Sequence, residues 1–113
     1  MRTNLCRFFK IKQNSYTLRF YPSALSRQLW INPNYTHTAM RFFQDYLQKN
    51  DCMIDVGASI GTTTLASASC VSDKGKIYSI EPNPRIFKYL HGNIELNNFK
   101  NIETFNVALG NKD

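Results

Sequence analysis

Carboxylates are nearly missing from the first half of this chain. Residues 1–50 contain a single acid, Asp45, against eight lysines and arginines, a local balance of +7, whereas residues 51–113 hold six basic and seven acidic side chains, a balance of −1. A basic segment can steer an anionic partner such as nucleic acid or a membrane surface. Here the charges are scattered and no nucleic-acid motif accompanies them, so a solvated basic face is the plainer reading and no nucleic-acid partner is expected. Long apolar runs are missing too. Nothing approaches the roughly 18–20 residues of a membrane span, and in MRTNLCRFFKIK charge interrupts the chain before the apolar core of a secretory signal can form. Cysteine is sparse: Cys6, Cys52 and Cys70 show no C-x-x-C or ligand spacing. An odd count without a secretory signal points to a reducing compartment, hence to a cytoplasmic, soluble protein. Cys52 and Cys70 lie in apolar stretches and are expected to be buried. His37 and His91 fall in no zinc-type spacing, so both are expected on solvent-facing helix positions and no metal is expected. No G-x-S-x-G elbow or Cys/His constellation points to hydrolysis.

What is present suits one domain with a modest core: 113 residues, 42% of them hydrophobic. Phe8, Phe9 and Ile11 begin a first strand. SYTLRFY, residues 15–21, alternates, with Tyr16, Leu18 and Phe20 on one face, and Pro22-Ser23 stops it. Residues 24–30 read as a short helix and Asn32-Pro33-Asn34 as a turn. Residues 35–49 read as an amphipathic helix in which Met40, Phe43 and Leu47 recur at helical spacing, Phe42 and Tyr46 widen the stripe, and Thr36 or Thr38 caps the start. That aromatic stripe is expected to be core. A strand over 52–56 and a helix over about 61–71 follow, then a second strand over 77–80 whose apolar and small residues suit a buried parallel strand. Asn83-Pro84 opens another helix with an N-cap residue and a proline at the first helical position. Its apolar positions are Ile86, Phe87, Leu90, Ile94 and Leu96, and Asn97-Asn98 ends it. IETFNVAL, residues 102–109, reads as a third strand. Strand–helix–strand–helix–strand is half of a doubly wound α/β sheet.

Two loops of this sheet carry the chemistry. DCMIDVGASIGTTT, residues 51–64, runs from an apolar strand into Asp55, Gly57 and Gly61 and then into a helix start, a junction where α/β proteins hold anionic or nucleotide-like ligands. IYSIEP, residues 77–82, ends the neighbouring strand in an acid and a proline. A dinucleotide fingerprint would need glycines at 57, 59 and 62, and the chain has Gly57, Ser59 and Thr62. The missing second glycine argues against a pyrophosphate, and the absence of a lysine after Gly61 argues against a P-loop. A phosphate-free ligand fits better. Asp55 can attract an ammonium group, and Gly57 permits a turn whose backbone lies against the ligand. Ser59 and the N–H groups of Gly61, Thr62 and Thr63 can bind a carboxylate, while Glu81 can accept bonds from both hydroxyls of a ribose. A ligand with amino-acid and ribose ends is S-adenosyl-L-methionine. Taken singly, such acids and glycines are often mere turn formers; their joint spacing is what carries the reading.

IDVGASIGTTTLASAS, GKIYSIEPNPRIFKYLHGNIELNN and NVALGNKD together resemble the FkbM-type, S-adenosylmethionine-dependent methyltransferases over residues 50–113, with a looser likeness upstream. The family's first motif is met at Asp55, Val56, Gly57, Ala58 and Gly61; its usual Asn is Ser59 here, and Thr62 or Thr63 stands where an aromatic is frequent. The ribose motif is intact as Glu81-Pro82-Asn83, and Val107-Ala108 falls where the family's fold contacts adenine. The resemblance implies a Rossmann-like class I methyltransferase fold with sheet order 3-2-1-4-5-7-6, of which strands 1 to 3 are present here, preceded by an N-terminal strand and helix. It divides the chain into a basic lead-in, residues 1–50, and the cofactor-binding half of a methyltransferase domain, residues 51–113. It also implies O-methylation of a sugar or other hydroxyl-bearing acceptor, small or polymer-linked. Without the remaining strands, residues 52–56 are expected to form an exposed sheet edge open to self-association or to the rest of the domain, and turnover by this chain alone is expected to be weak or absent. No residue is assigned as general base. A non-catalytic cofactor-binding remnant and another Rossmann-like nucleotide-binding protein remain as alternatives.

Overall fold

A three-stranded parallel sheet forms one part of the chain and a short antiparallel hairpin forms another, with helices between them. The computed structural model describes residues 9–111, so the roles expected of Cys6, Phe8, Lys112 and Asp113 lie outside the described residues. The hairpin pairs β1 (Lys10–Lys12) with β2 (Thr17–Arg19) in the register Lys10↔Arg19, Ile11↔Leu18 and Lys12↔Thr17. Helices α1 (Ala24–Ile31) and α2 (His37–Tyr46) follow. Then come β3 (Cys52–Val56), α3 (Thr62–Cys70), β4 (Lys76–Ile80), α4 (Pro84–Leu96) and β5 (Ile102–Phe105). The sheet order is β3-β4-β5, parallel throughout, with Val56 opposite Ile80 and Ile80 opposite Phe105.

Several boundaries follow from local chemistry that the sequence pattern shows. The Ser23 hydroxyl accepts the Ser26 amide at the start of α1. The Asn83 side chain accepts the amides of Arg85 and Ile86, with Pro84 at the first helical position of α4. Other boundaries move. Helix α2 covers ten residues rather than the fifteen expected, because Asp51 Oδ2 takes the Gln48 amide at 2.9 Å and draws the chain into a turn before β3. Thr36 occupies the cap position of α2 without a side-chain capping bond. The third strand ends at Phe105 rather than near 109. Beyond that point its neighbour β4 has turned away toward α4, leaving nothing for residues 107–109 to pair with.

The parallel sheet has one covered face and one bare face. Asp55 and Ser79, opposite each other in β3 and β4, point toward α3. On the opposite face Ile54, Val56 and Phe105 are exposed. The period-2 alternation of a strand puts Cys52 on that bare face, so it is exposed rather than buried, and Cys70 is half-buried. Phe42 and Tyr46 also leave the expected core stripe: both are exposed and stack on each other with centroids 5.6 Å apart. Of that stripe only Met40 is fully buried, with Phe43 and Leu47 packed at the margin. His37 and His91 lie exposed on helices, as expected. One core cluster gathers Leu18, Leu29, Met40, Ile60 and Leu65, so the lead-in, the turn after β3 and α3 share an apolar interior, and a second cluster gathers Ala68, Val71 and Ile77 between α3 and β4. Buried in the first of these, the Tyr16 phenol is pushed up to about 12 by the loss of water around it.

The lead-in is tied to the rest by side chains of α4. Asn97 accepts the Thr17 amide at 3.0 Å and donates to the Thr17 carbonyl at 2.8 Å. One helical turn earlier, Asn93 accepts the Arg19 amide at 2.8 Å. These two asparagines, four apart on one helix face, take the place of a third strand along the free edge of β2. Next to them Tyr21 stacks on Tyr89 with centroids 4.5 Å apart. Replacing Asn97 with Ala leaves the Thr17 amide and carbonyl without their partner. It is expected to cost about 1–3 kcal/mol of stability, measured by urea denaturation, as for an unsatisfied part-buried group.

Candidate functional site

Asp55 and Glu81, near the carboxyl ends of β3 and β4, are both buried. Ligands of open α/β sheets bind at this end of the strands. Between the two acids in sequence runs the turn 57–61, whose shape is set by three residues at positive φ: Gly57 at 77°, Ser59 at 53° and Gly61 at 104°. At Gly57 the place a Cβ would take has no atom within 4 Å, so that glycine is needed for its backbone conformation and faces open space. At Gly61 the same place is 3.0 Å from Leu90 Cδ1, so the start of α3 presses against α4.

The turn grips the end of β4 with three successive amides. Gly57 and Ala58 donate to the Ile80 carbonyl at 2.8 and 2.9 Å, and Ser59 donates to Glu81 Oε2 at 2.9 Å. The other Glu81 oxygen, Oε1, accepts the Asn83 amide at 3.0 Å. Glu81 is therefore fixed by one amide on each oxygen. A carboxylate offers about four acceptor positions, so one remains on each oxygen for a pair of vicinal hydroxyls. From the β5 side, the Glu81 amide donates to the Phe105 carbonyl, and Asn106 Nδ2 donates to the Glu81 and Pro82 carbonyls. Residues 81–83 are clamped from both neighbours.

Asp55 is held differently. Thr64 Oγ1 donates to Asp55 Oδ2 at 2.7 Å, and Ser79 Oγ lies 2.7 Å from the same Thr64 oxygen. With the Thr64 proton on Asp55, Ser79 donates to Thr64. Burial pushes the Asp55 carboxyl above the ordinary range; the Thr64 bond opposes that shift, and the nearby Glu81 charge adds to it. The site thus keeps two acids close together, with no basic side chain bonded to either among the described residues.

The structure brings together most of the residues named from sequence. Asp55, Gly57, Ala58, Ser59, Gly61, Glu81, Pro82 and Asn83 form the facing loops. Thr62 and Thr63 open α3, and their amides have no backbone carbonyl partner among the described residues. The Gly61 amide, expected to be available to a ligand, is instead donated to the Ala58 carbonyl at 3.0 Å. Val107 and Ala108 follow the end of β5 and are exposed, outside the strand in which they were placed. Four partners were missed. Ser79 is placed by strand register opposite Asp55 and Thr64 by the packing of α3 on the sheet; a serine in an otherwise apolar buried strand was the signal. Asn106 escaped because it was read as strand. Asn93 is fully buried and donates Nδ2 to the Ile60 carbonyl at 2.8 Å, inside the cofactor turn, while accepting from Arg19; its i, i+4 spacing to Asn97 was the signal.

These features define a class I, Rossmann-like methyltransferase fold, here with the three parallel strands β3, β4 and β5 standing as the first, second and third strands of that fold. The methyltransferase domain family described as TRM5/TYW2 matches residues 29–109, most of the chain. The chain belongs to that family of S-adenosylmethionine-dependent methyltransferases. The match carries the methyltransferase part of the resemblance seen in the sequence, but not the FkbM type. Among solved structures, TYW2 of M. jannaschii in complex with AdoMet is similar at a TM-score of 0.68 and 23% identity, over 87% of this chain and 42% of that one. A SAM-dependent methyltransferase from Aquifex aeolicus is similar at 0.59 and 21%, over 76% and 47%. A protein-L-isoaspartate O-methyltransferase is similar at 0.58 and 20%, over 63% and 23%. The chain spans less than half the length of each. No curated protein matches it.

The raised pKa of Asp55 sets a pH dependence whose sign can be worked out. The folded state holds the Asp55 proton to a higher pH than the unfolded chain does, so this group's contribution to stability is full below the ordinary aspartate range and falls as pH rises through and above it. Asp55→Asn keeps an acceptor for Thr64 and removes the buried charge. Its Tm is expected to exceed that of the parent at pH 7, with the gap closing as pH falls below the ordinary Asp range. Calorimetric scans across pH measure this.

Proposed function

We propose that this chain binds S-adenosyl-L-methionine between residues 55–63 and 81–83 and forms the cofactor-binding part of a methyltransferase. The observation that carries this reading is Glu81, a buried carboxylate pinned by Ser59 and Asn83 with one acceptor position left on each oxygen. The donor set fits the two ends of the cofactor. Glu81 takes the ribose hydroxyls, and Pro82 and Asn83 shape that loop. Asp55 takes the ammonium group, whose charge offsets the cost of keeping this carboxylate ionised in a buried place. Gly57 and Ala58 lie against the ligand, and the amides of Thr62 and Thr63 with the Ser59 side chain face its carboxylate. Val107 and Ala108 border the adenine. Bound there, the cofactor supplies an electrophilic methyl group.

Residues 51–113 are the cofactor-binding segment in this reading and residues 1–50 the lead-in. The acceptor is a hydroxyl group of a sugar or another small or polymer-linked molecule. That finer assignment rests on the FkbM-type motif resemblance alone.

Calorimetric titration with S-adenosylhomocysteine, S-adenosylmethionine and NAD tests the reading. Both adenosyl compounds are expected to bind and NAD is not. Glu81→Ala is expected to weaken binding about tenfold or more, roughly 1.4 kcal/mol; an unchanged affinity overturns the role given to Glu81. Affinity is expected to fall as pH drops and Asp55 takes up its proton, and Asp55→Asn is expected to lose that dependence.

The bare edge and face of β3 also bear on partners. With Ile54 and Val56 exposed beside an unpaired strand edge, the chain is expected to self-associate with increasing concentration. Sedimentation velocity should show the average mass rising with concentration and Ile54→Lys shifting it toward the monomer; a concentration-independent monomer removes the proposal.

A further inference from the structure

Asn93 is fully buried where the lead-in, α4 and the turn after β3 meet. Its Oδ1 accepts the Arg19 amide of β2 at 2.8 Å, and its Nδ2 donates to the Ile60 carbonyl at 2.8 Å. One partner is a donor and the other an acceptor, so a single orientation of the side-chain amide satisfies both. Strand β2 thereby sets the direction in which Asn93 presents its donor. The Ile60 carbonyl accepts no backbone amide among the described residues, and Asn93 is the partner that holds it.

That carbonyl belongs to the peptide unit on which the shape of the turn depends. A trans peptide is planar, so its C=O and N–H point in opposite directions. The Ile60–Gly61 unit is held at both ends: its carbonyl by Asn93, and its Gly61 amide by the Ala58 carbonyl at 3.0 Å. Positive φ angles stand on either side of Ile60, 53° at Ser59 and 104° at Gly61. The Ile60 side chain is buried in the same core cluster as Leu18 and Leu65. Leu90, one turn before Asn93 on α4, has its Cδ1 3.0 Å from the place a Gly61 Cβ would take, so α4 meets this peptide at two points. With the plane and the Gly61 φ fixed, the direction in which the chain enters α3 is fixed too, and with it the direction of the Thr62 and Thr63 amides.

We infer that Asn93 is a positioning residue for the amino-acid end of the cofactor: oriented by β2, it locks the Ile60–Gly61 peptide so that the Thr62 and Thr63 amides face the ligand's carboxylate. The inference rests on the cofactor reading above and gives the lead-in a part in ligand binding through Asn93. The test compares S-adenosylhomocysteine with 5′-methylthioadenosine, which keeps the adenosine and lacks the amino-acid end. Asn93→Leu retains the branched shape and removes both hydrogen bonds, and Asn93→Ala is the second variant should the first not fold. Each is expected to weaken S-adenosylhomocysteine about tenfold and to leave methylthioadenosine within about twofold of the parent. Asn97→Ala loosens the lead-in without a bond to the turn, and is expected to leave both affinities unchanged when measured well below its Tm. Equal weakening of the two ligands by the Asn93 variants marks a merely structural role and overturns the inference. So does no weakening, or the same selective loss in Asn97→Ala. A measurement on the unligated parent needs no variant: its Gly61 amide is expected to exchange with deuterium at least about tenfold more slowly than that of Thr63. Equal rates overturn the locked peptide whether or not the variants fold. If the parent binds neither adenosyl compound, the cofactor reading falls and this inference with it, whereas binding that is indifferent to Asn93 overturns this inference alone.

Discussion

The buried carboxylate of Glu81 ties the turn after β3 to the start of α4. Ser59 reaches it from the turn after β3 and Asn83 from the start of α4, each with a backbone amide on a separate oxygen. Because the donors are backbone amides, the bonds constrain the backbone of both segments as well as the Glu81 side chain. The positive φ of Ser59, unusual for a residue with a Cβ, is held in place by this bond and by the glycines on either side. The acid proposed to take the ribose hydroxyls therefore also shapes the turn beside it.

Asp55 shows the complementary arrangement. Its partner Thr64 belongs to the helix that follows the turn, and Ser79 belongs to the neighbouring strand. A carboxylate buried with hydroxyl donors and another acid nearby is kept at a cost to stability. Such a cost is characteristic of binding sites, where a charge is prepared for a ligand of opposite sign rather than for the apo fold. The two acids thus differ: Glu81 is bonded by backbone amides and Asp55 by a hydroxyl.

Outside the site, asparagine side chains replace sheet hydrogen bonds. Asn93 and Asn97 satisfy alternate amides of β2, and Asn93 also reaches the Ile60 carbonyl in the cofactor turn. A buried amide side chain with both ends used is worth more than its two bonds suggest, since loss of either leaves an unpaired group in the interior. Through this residue the lead-in, the helix and the turn share one network. The basic lead-in becomes a wall of the folded domain, and its Arg27 lines the same cleft as Arg85.

Much of this was legible in the order of residues. Strands 52–56 and 77–80, the Asn83-Pro84 helix start and the role of Gly57 follow from short-range rules of turn and cap chemistry, which act within a few residues and leave a mark in sequence. The spacing of Asp55, Gly57, Gly61 and Glu81 was enough to point to a nucleoside cofactor without phosphates. Contacts between distant segments left no such mark. Strand register set Asp55 opposite Ser79 and the packing of α3 put Thr64 between them, while the uncovered face of the sheet exposed Cys52. Phe42 and Tyr46 were read as core from helical pattern, although pattern reports which residues share a face and not whether anything covers it. Sequence by itself determined the local elements and the kind of ligand; tertiary structure decided which polar groups pair, which faces stay bare and which charges meet, because those depend on distances that close only when the chain folds.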